Sequence, residues 1–178
     1  MQYSNRNDVM EAGVVSRDRA MADNILWIQT HNSNSKLVLW AHNGHINNYA
    51  YDVVNGEFID NMNGEYQRMG KFLKLKLKNK YFPVGLTTFE GTYDGGIIKF
   101  PPNNSFEFDI NQLGMVFALS NLSDKKKMPY ILPAPLNIRS IGDNGNEQQE
   151  NQFELQNIGR DYDAMIYIKT TTPTIQLY

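Results

Sequence analysis

Two of the chain's three histidines, His42 and His45, stand with only Asn43 and Gly44 between them. Imidazole takes or gives a proton near neutral pH with little tuning, so a close pair suits general acid/base work or metal ligation. The pair follows the apolar run of the segment L-V-L-W-A-H-N-G-H-I, from Leu37 to Ile46. Open α/β sheets keep their working groups at such strand ends, because the side chains lean into a crevice while the strand fixes the backbone behind them. The plainer reading is that each ring hydrogen-bonds a neighbouring carbonyl in a turn and does no chemistry.

Metal is the third reading. Structural zinc sites want four ligands, usually with cysteines among them, and catalytic ones want three. The chain has no cysteine, which also excludes disulfides and thiol nucleophiles, and His31 lies on the other side of the apolar run. No metal and no cofactor is therefore expected. The alternative, a metal-dependent hydrolase, would use His42 and His45 with a carboxylate such as Asp18 or Glu90.

The elements that position these residues follow from pattern. Ser16 to about Thr30 predicts a helix: Ser16 can cap it, Asp18 suits its positive end, and Met21, Ile25, Leu26 and Ile28 form an apolar stripe. Lys36 to Ala41 predicts a short central strand, since its apolar run is too continuous to be half-exposed. His42 to Asn63 is polar, rich in Gly and Asn, and predicts a long functional loop.

Glu65 to Lys78 fits a strand by its Leu/Lys alternation and a helix by Met69, Phe72, Leu73 and Leu77. The absence of β-branched residues favours the helix. Strands are predicted over Tyr81–Thr88, Gly95–Phe100, Tyr130–Leu132 and Asp163–Lys169, a helix over Asp109–Leu122, and a polar loop over Gly142–Gln152. Helices alternating with buried strands imply an α/β fold, a three-layer sheet with flanking helices in one domain.

Composition excludes several function classes. The chain has 178 residues, 41% hydrophobic, enough for one sizeable core. Its net charge of −2 gives no general attraction to phosphate backbones. The basic runs Lys71–Lys80 and Lys125–Lys127 predict solvated faces rather than a nucleic-acid site. No stretch approaches the roughly 20 apolar residues of a membrane span. M-Q-Y-S-N-R-N-D at the start lacks the apolar run of a secretory leader, which favours a cytoplasmic location without settling the compartment.

Five pieces in order resemble the erythromycin esterase family, which includes succinoglycan-biosynthesis-type homologues. They are R-D-R-A-M-A-D-N (Arg17 to Asn24), W-A-H-N-G-H (Trp40 to His45), M-G-K-F-L (Met69 to Leu73), V-G (Val84 and Gly85) and D-A-M-I-Y-I-K-T-T-T-P-T (Asp163 to Thr174). The resemblance implies a hydrolase that uses activated water to open an ester, in the best-known members the lactone of a macrolide. It implies catalytic roles for His42, His45 and Arg17, with Asn43, Asp18 and Trp40 toward the substrate. One imidazole would position water or protonate the leaving oxygen, and the guanidinium would steady a carboxylate or developing charge. Arg at a helix N-terminus is electrostatically unfavourable unless something holds it, which supports a site role for Arg17.

Family members are considerably longer, and the resemblance implies that their principal general base is a histidine beside a glutamate in an N-terminal half. His31 lacks that spacing. The expectation is thus a C-terminal part of an erythromycin-esterase-like hydrolase with an incomplete site. The rival from another class is a non-catalytic binding or structural domain. The partner expected is a small ester or lactone, with no nucleic acid and no membrane, and a homo-oligomer is the candidate assembly because a partial sheet leaves an edge or apolar face uncovered.

Overall fold

The computed structural model describes residues 6–32, 34–48, 51–54, 57–60, 68–93, 96–121, 135–141 and 152–173. They fall into two compact units, Met1–Pro83 and Val84–Tyr178. Among the described residues no helix is long and apolar enough to cross a membrane.

The first unit opens on α1 (Arg6–His31), which starts well before the Ser16 predicted from capping. Its inner face carries Asp18 and Ala22, both fully buried and four residues apart. Arg19 on the same helix lies 5.0 Å over the Phe72 ring of α3 (Met69–Leu77). The helix closes on side chains that satisfy its last carbonyls: His31 Nδ1 lies 2.8 Å from the Trp27 carbonyl, and Asn32 donates to that of Ile28.

The predicted strand over 36–41 does not form. These residues enter no ladder, and Val38 and Trp40 are 95% and 86% exposed. A strand needs a neighbour to satisfy its N–H and C=O groups, and none of the described strands supplies one here.

The predicted loop over 42–63 is also partly ordered. It contains the short helix α2 (Asn43–Ile46) and the antiparallel pair β1 (Tyr51–Val54) and β2 (Glu57–Asp60). The helical reading of 65–78 holds from Met69 to Leu77, with Met69, Gly70 and Leu73 buried, Lys71 and Lys74 half-buried and Lys76 exposed.

The second unit centres on β3 (Val84–Tyr93), parallel to β8 (Ala164–Thr171), in a four-stranded sheet of order β4-β3-β8-β5. The outer strands, β4 (Gly96–Ile98) and β5 (Phe117–Asn121), are antiparallel to their neighbours. Gly85 faces Met165 so closely that a Cβ would lie 2.3 Å from its sulfur, so a larger residue there would require the methionine side chain to move. β6 (Leu136–Arg139) and β7 (Phe153–Gln156) form a second antiparallel pair, and α5 (Ile158–Asp161) leads into β8.

The predicted helix over 109–122 is two elements. α4 runs from Phe106 to Gln112, capped by the Ser105 hydroxyl on the Phe108 N–H, and β5 follows. Gly114 marks the break: its φ of +70 is a left-handed conformation that suits glycine just past a helix end, and its N–H bonds the Asn111 carbonyl at 2.9 Å. The expected strand over 130–132 and most of the loop over 142–152 lie outside the described residues.

Two charged side chains pin this unit together from within. Arg139 is buried and spends its guanidinium on four acceptors, the carbonyls of Thr88, Phe89 and Lys99 and the Gln152 side chain, at 2.7–2.9 Å. Glu107, fully buried at the start of α4, accepts from the Thr87 hydroxyl and from the Arg139 backbone N–H. Burial pushes its carboxyl above the ordinary carboxylate value, opposed by these hydrogen bonds and by the charge of Arg139.

Candidate functional site

The geometry around the histidine pair begins with a four-residue helix. His42 precedes α2, and its Nδ1 accepts the Gly44 N–H at 3.1 Å, so the ring caps the turn that carries His45. An Nδ1 that accepts leaves the proton on Nε2. His42 is therefore set as a donor at its outer nitrogen.

His45 is set the opposite way. Its Nδ1 lies 2.8 Å from Asp18 Oδ1, and the imidazole is one-fifth exposed while the Asp18 side chain is almost wholly enclosed. A carboxylate accepts, so Nδ1 carries the proton and Nε2 is left as the acceptor. One turn thus holds two imidazoles in complementary tautomers.

Asp18 is itself fixed by backbone. The Met69 N–H, at the start of α3, donates to the same Oδ1 at 2.9 Å. A helix N-terminus favours an anion there through its unpaired N–H groups and dipole. The other oxygen, Oδ2, is buried without a hydrogen-bond partner among the described residues, and the nearest recorded cation is Arg68, whose Nη1 stands 3.9 Å away.

Close packing holds α2 against α3. A Cβ on Gly70 would lie 2.2 Å from the Asn47 carbonyl oxygen and 2.3 Å from that of Ile46, so only glycine lets the two backbones approach. The Tyr81 hydroxyl donates to the same Ile46 carbonyl at 2.6 Å and ties the end of α2 from another side.

Of the residues singled out in sequence, Asp18, His42 and His45 meet here. Asp18 presents no surface to a ligand, being fully buried, and its contacts make it the orienting partner of His45. Asn43 is the half-buried first residue of α2, and Trp40 projects outward. Arg17 is exposed, and the helix-end argument for it fails because α1 begins at Arg6, which places Arg17 in mid-helix. His31 stacks on Trp27 at a ring separation of 4.1 Å and stays with its own helix end. Among the described residues no three His, Cys, Asp or Glu side chains are grouped as metal ligands.

Sequence reasoning missed Arg68, Met69, Gly70 and Tyr81. Only the M-G pair carried a signal, a glycine in the first turn of a predicted helix, where its cost in propensity asks for a packing reason. The Met69 contribution is a backbone N–H, which any residue type except proline supplies.

An α/β chain with a buried carboxylate orienting an imidazole is the class of protein these features define. The chain belongs to the erythromycin esterase family, whose model matches residues 1–171. No curated protein matches it in sequence.

Two crystal structures share the fold. A succinoglycan biosynthesis protein superposes with a TM-score of 0.63 at 23% identity, over 87% of this chain and 38% of that one. A Bacillus cereus protein superposes with a TM-score of 0.68 at 18% identity, over 90% of this chain and 39% of that one. The chain therefore spans less than two-fifths of either relative.

Proposed function

We propose that this chain supplies the acid/base histidines of an erythromycin-esterase-like hydrolase that opens ester or lactone bonds with activated water. The observation that carries the reading is the 2.8 Å bond from His45 Nδ1 to the buried Asp18. It fixes the ring and leaves Nε2 free of the proton, the state a general base needs.

In this scheme His45 Nε2 takes a proton from water as the water oxygen adds to the ester carbonyl carbon. The tetrahedral intermediate then collapses with cleavage of the carbon–oxygen bond, and the proton held on His45 Nε2 passes to the departing oxygen, which leaves as the alcohol and returns His45 to its starting state. His42, with its proton on Nε2, donates a hydrogen bond to the oxyanion or to the departing oxygen. Family membership supports ester or lactone as the substrate class.

The test is hydrolysis of p-nitrophenyl acetate and of a macrolide lactone by the purified chain and by His45→Ala. Loss of a general base costs about 10²- to 10⁴-fold in rate. A variant that hydrolyses either substrate as fast as the parent overturns the assignment.

A further inference from the structure

We infer that Arg68 is a positioning residue of this site, holding Asp18 as the anion that fixes the tautomer of His45. The inference rests on the acid/base reading of the Asp18–His45 pair and adds a residue to it.

Three observations converge on Arg68. It occupies the N-cap of α3 with no side-chain capping bond, although a cation at the positive end of a helix is electrostatically unfavourable and polar caps such as Ser or Asp are preferred there. Its guanidinium turns toward Asp18, with Nη1 3.9 Å from Oδ2. That oxygen is buried and has no hydrogen-bond partner among the described residues, whereas Oδ1 already accepts from His45 and Met69.

A buried carboxylate oxygen without a donor is costly unless a countercharge stands close. Arg68 is the countercharge in range. Its side chain is 43% exposed, so it can close the remaining gap to Oδ2 without repacking a core. The consequence runs through Asp18 to the imidazole. With Arg68 present Oδ2 has its countercharge, Oδ1 stays aimed at Nδ1, and Nε2 remains the acceptor. Without it, Oδ2 is left buried with no partner among the described residues, the carboxylate gains by turning toward water, and His45 Nδ1 loses its acceptor.

The experiment is a long-range ¹H–¹⁵N correlation spectrum of the imidazoles in the full chain at about pH 9, where a free imidazole is neutral. It compares the parent with Arg68→Met and Arg68→Lys. The parent is expected to show His45 protonated on Nδ1. Arg68→Met is expected to shift His45 to a majority of the Nε2-protonated tautomer, and Arg68→Lys to restore Nδ1 protonation by returning the charge. The His42 tautomer, set by Gly44, stays constant and reports that the turn is intact. A parent His45 protonated on Nε2 overturns the acid/base pair itself. A parent protonated on Nδ1 whose Arg68→Met variant matches it overturns only the role of Arg68, as does failure of Arg68→Lys to restore what Arg68→Met loses.

Discussion

Replacing Gly70 by alanine is the sharpest perturbation of this site, because elementary helix physics and the local packing predict opposite signs. In an exposed helix, glycine to alanine is stabilising by about 1 kcal/mol. Gly70 lies in the first turn of α3, where the new Cβ would stand 2.2 Å from the Asn47 carbonyl oxygen and 2.3 Å from that of Ile46. Both obstacles are backbone, so neither can rotate away. A carbon and an oxygen settle more than 3 Å apart, and α2 and α3 must separate by roughly 1 Å.

That displacement falls on the site. Met69 N–H and His45 Nδ1 hold the same Asp18 oxygen at 2.9 and 2.8 Å from α3 and α2 respectively. Moving either helix by about 1 Å takes its bond beyond hydrogen-bonding range. Overpacking costs about 1–3 kcal/mol and a lost bond to a buried charged group about 1.5–3 kcal/mol, against about 1 kcal/mol gained in propensity. The net expectation is a loss of about 1.5–5 kcal/mol, which lowers the melting temperature by roughly 3–20 °C. Thermal unfolding by circular dichroism measures the first effect and the His45 imidazole spectrum the second. A Gly70→Ala chain that melts at or above the parent and keeps its His45 signal refutes the account of how the two helices meet.

Two further outcomes follow from the rest of the molecule. Glu107 has a folded-state value raised by burial, so its contribution is fully present below the ordinary carboxylate value and is lost as pH rises through the folded one. Glu107→Gln keeps an oxygen for the Thr87 and Arg139 donors and removes the titration. The parent, compared with Glu107→Gln by urea unfolding, should therefore lose relative stability as pH rises above the ordinary carboxylate value of about 4, and a pH-independent difference contradicts this. Val38 and Trp40, at 95% and 86% exposed, offer an apolar surface for self-association. Sedimentation velocity should show concentration-dependent assembly that Val38→Lys with Trp40→Lys reduces, and a parent that stays monomeric at all concentrations rejects that use of the segment.

The residues that could be read in sequence are those whose role is local. The run around Met165 and Ile166 needed only its apolar continuity to be recognised as a strand, since β8 is flanked on both edges by β3 and β5. Asp109–Leu122 misled because Leu113, Val116, Phe117 and Leu119 satisfy a helical spacing. Gly114 and its helix-ending conformation were the signal that should have divided it. Leu37–Trp40 has the composition of a central strand, yet strand formation depends on a neighbour's backbone, which a pattern of side chains does not encode. The site divides in the same way: His42 and His45 announce themselves by type and spacing, and Asp18 is a candidate beside them, but that Asp18, 27 residues away on α1, orients His45 is visible only in the fold.

Three of the five short motifs that link this chain to its family, all in the first unit, share one small volume, and this determines how their substitutions should combine. R-D supplies the buried carboxylate, W-A-H-N-G-H the capped turn and the imidazole, and M-G a backbone donor and the space for close approach. Met69 donates across 51 residues of sequence to the oxygen that His45 also holds. Such contacts are not independent, because any change that moves α2 or α3 alters the same carboxylate. Asp18→Ala should consequently remove most of the reason that Gly70→Ala disturbs His45, though not its overpacking cost. A double-mutant cycle between them, read on the His45 tautomer, should show coupling, whereas distant sites with no shared partner add nearly independently. These three motifs are scattered in sequence because each contributes one polar group or one gap, and the proposed chemistry requires the three of them around Asp18 at once.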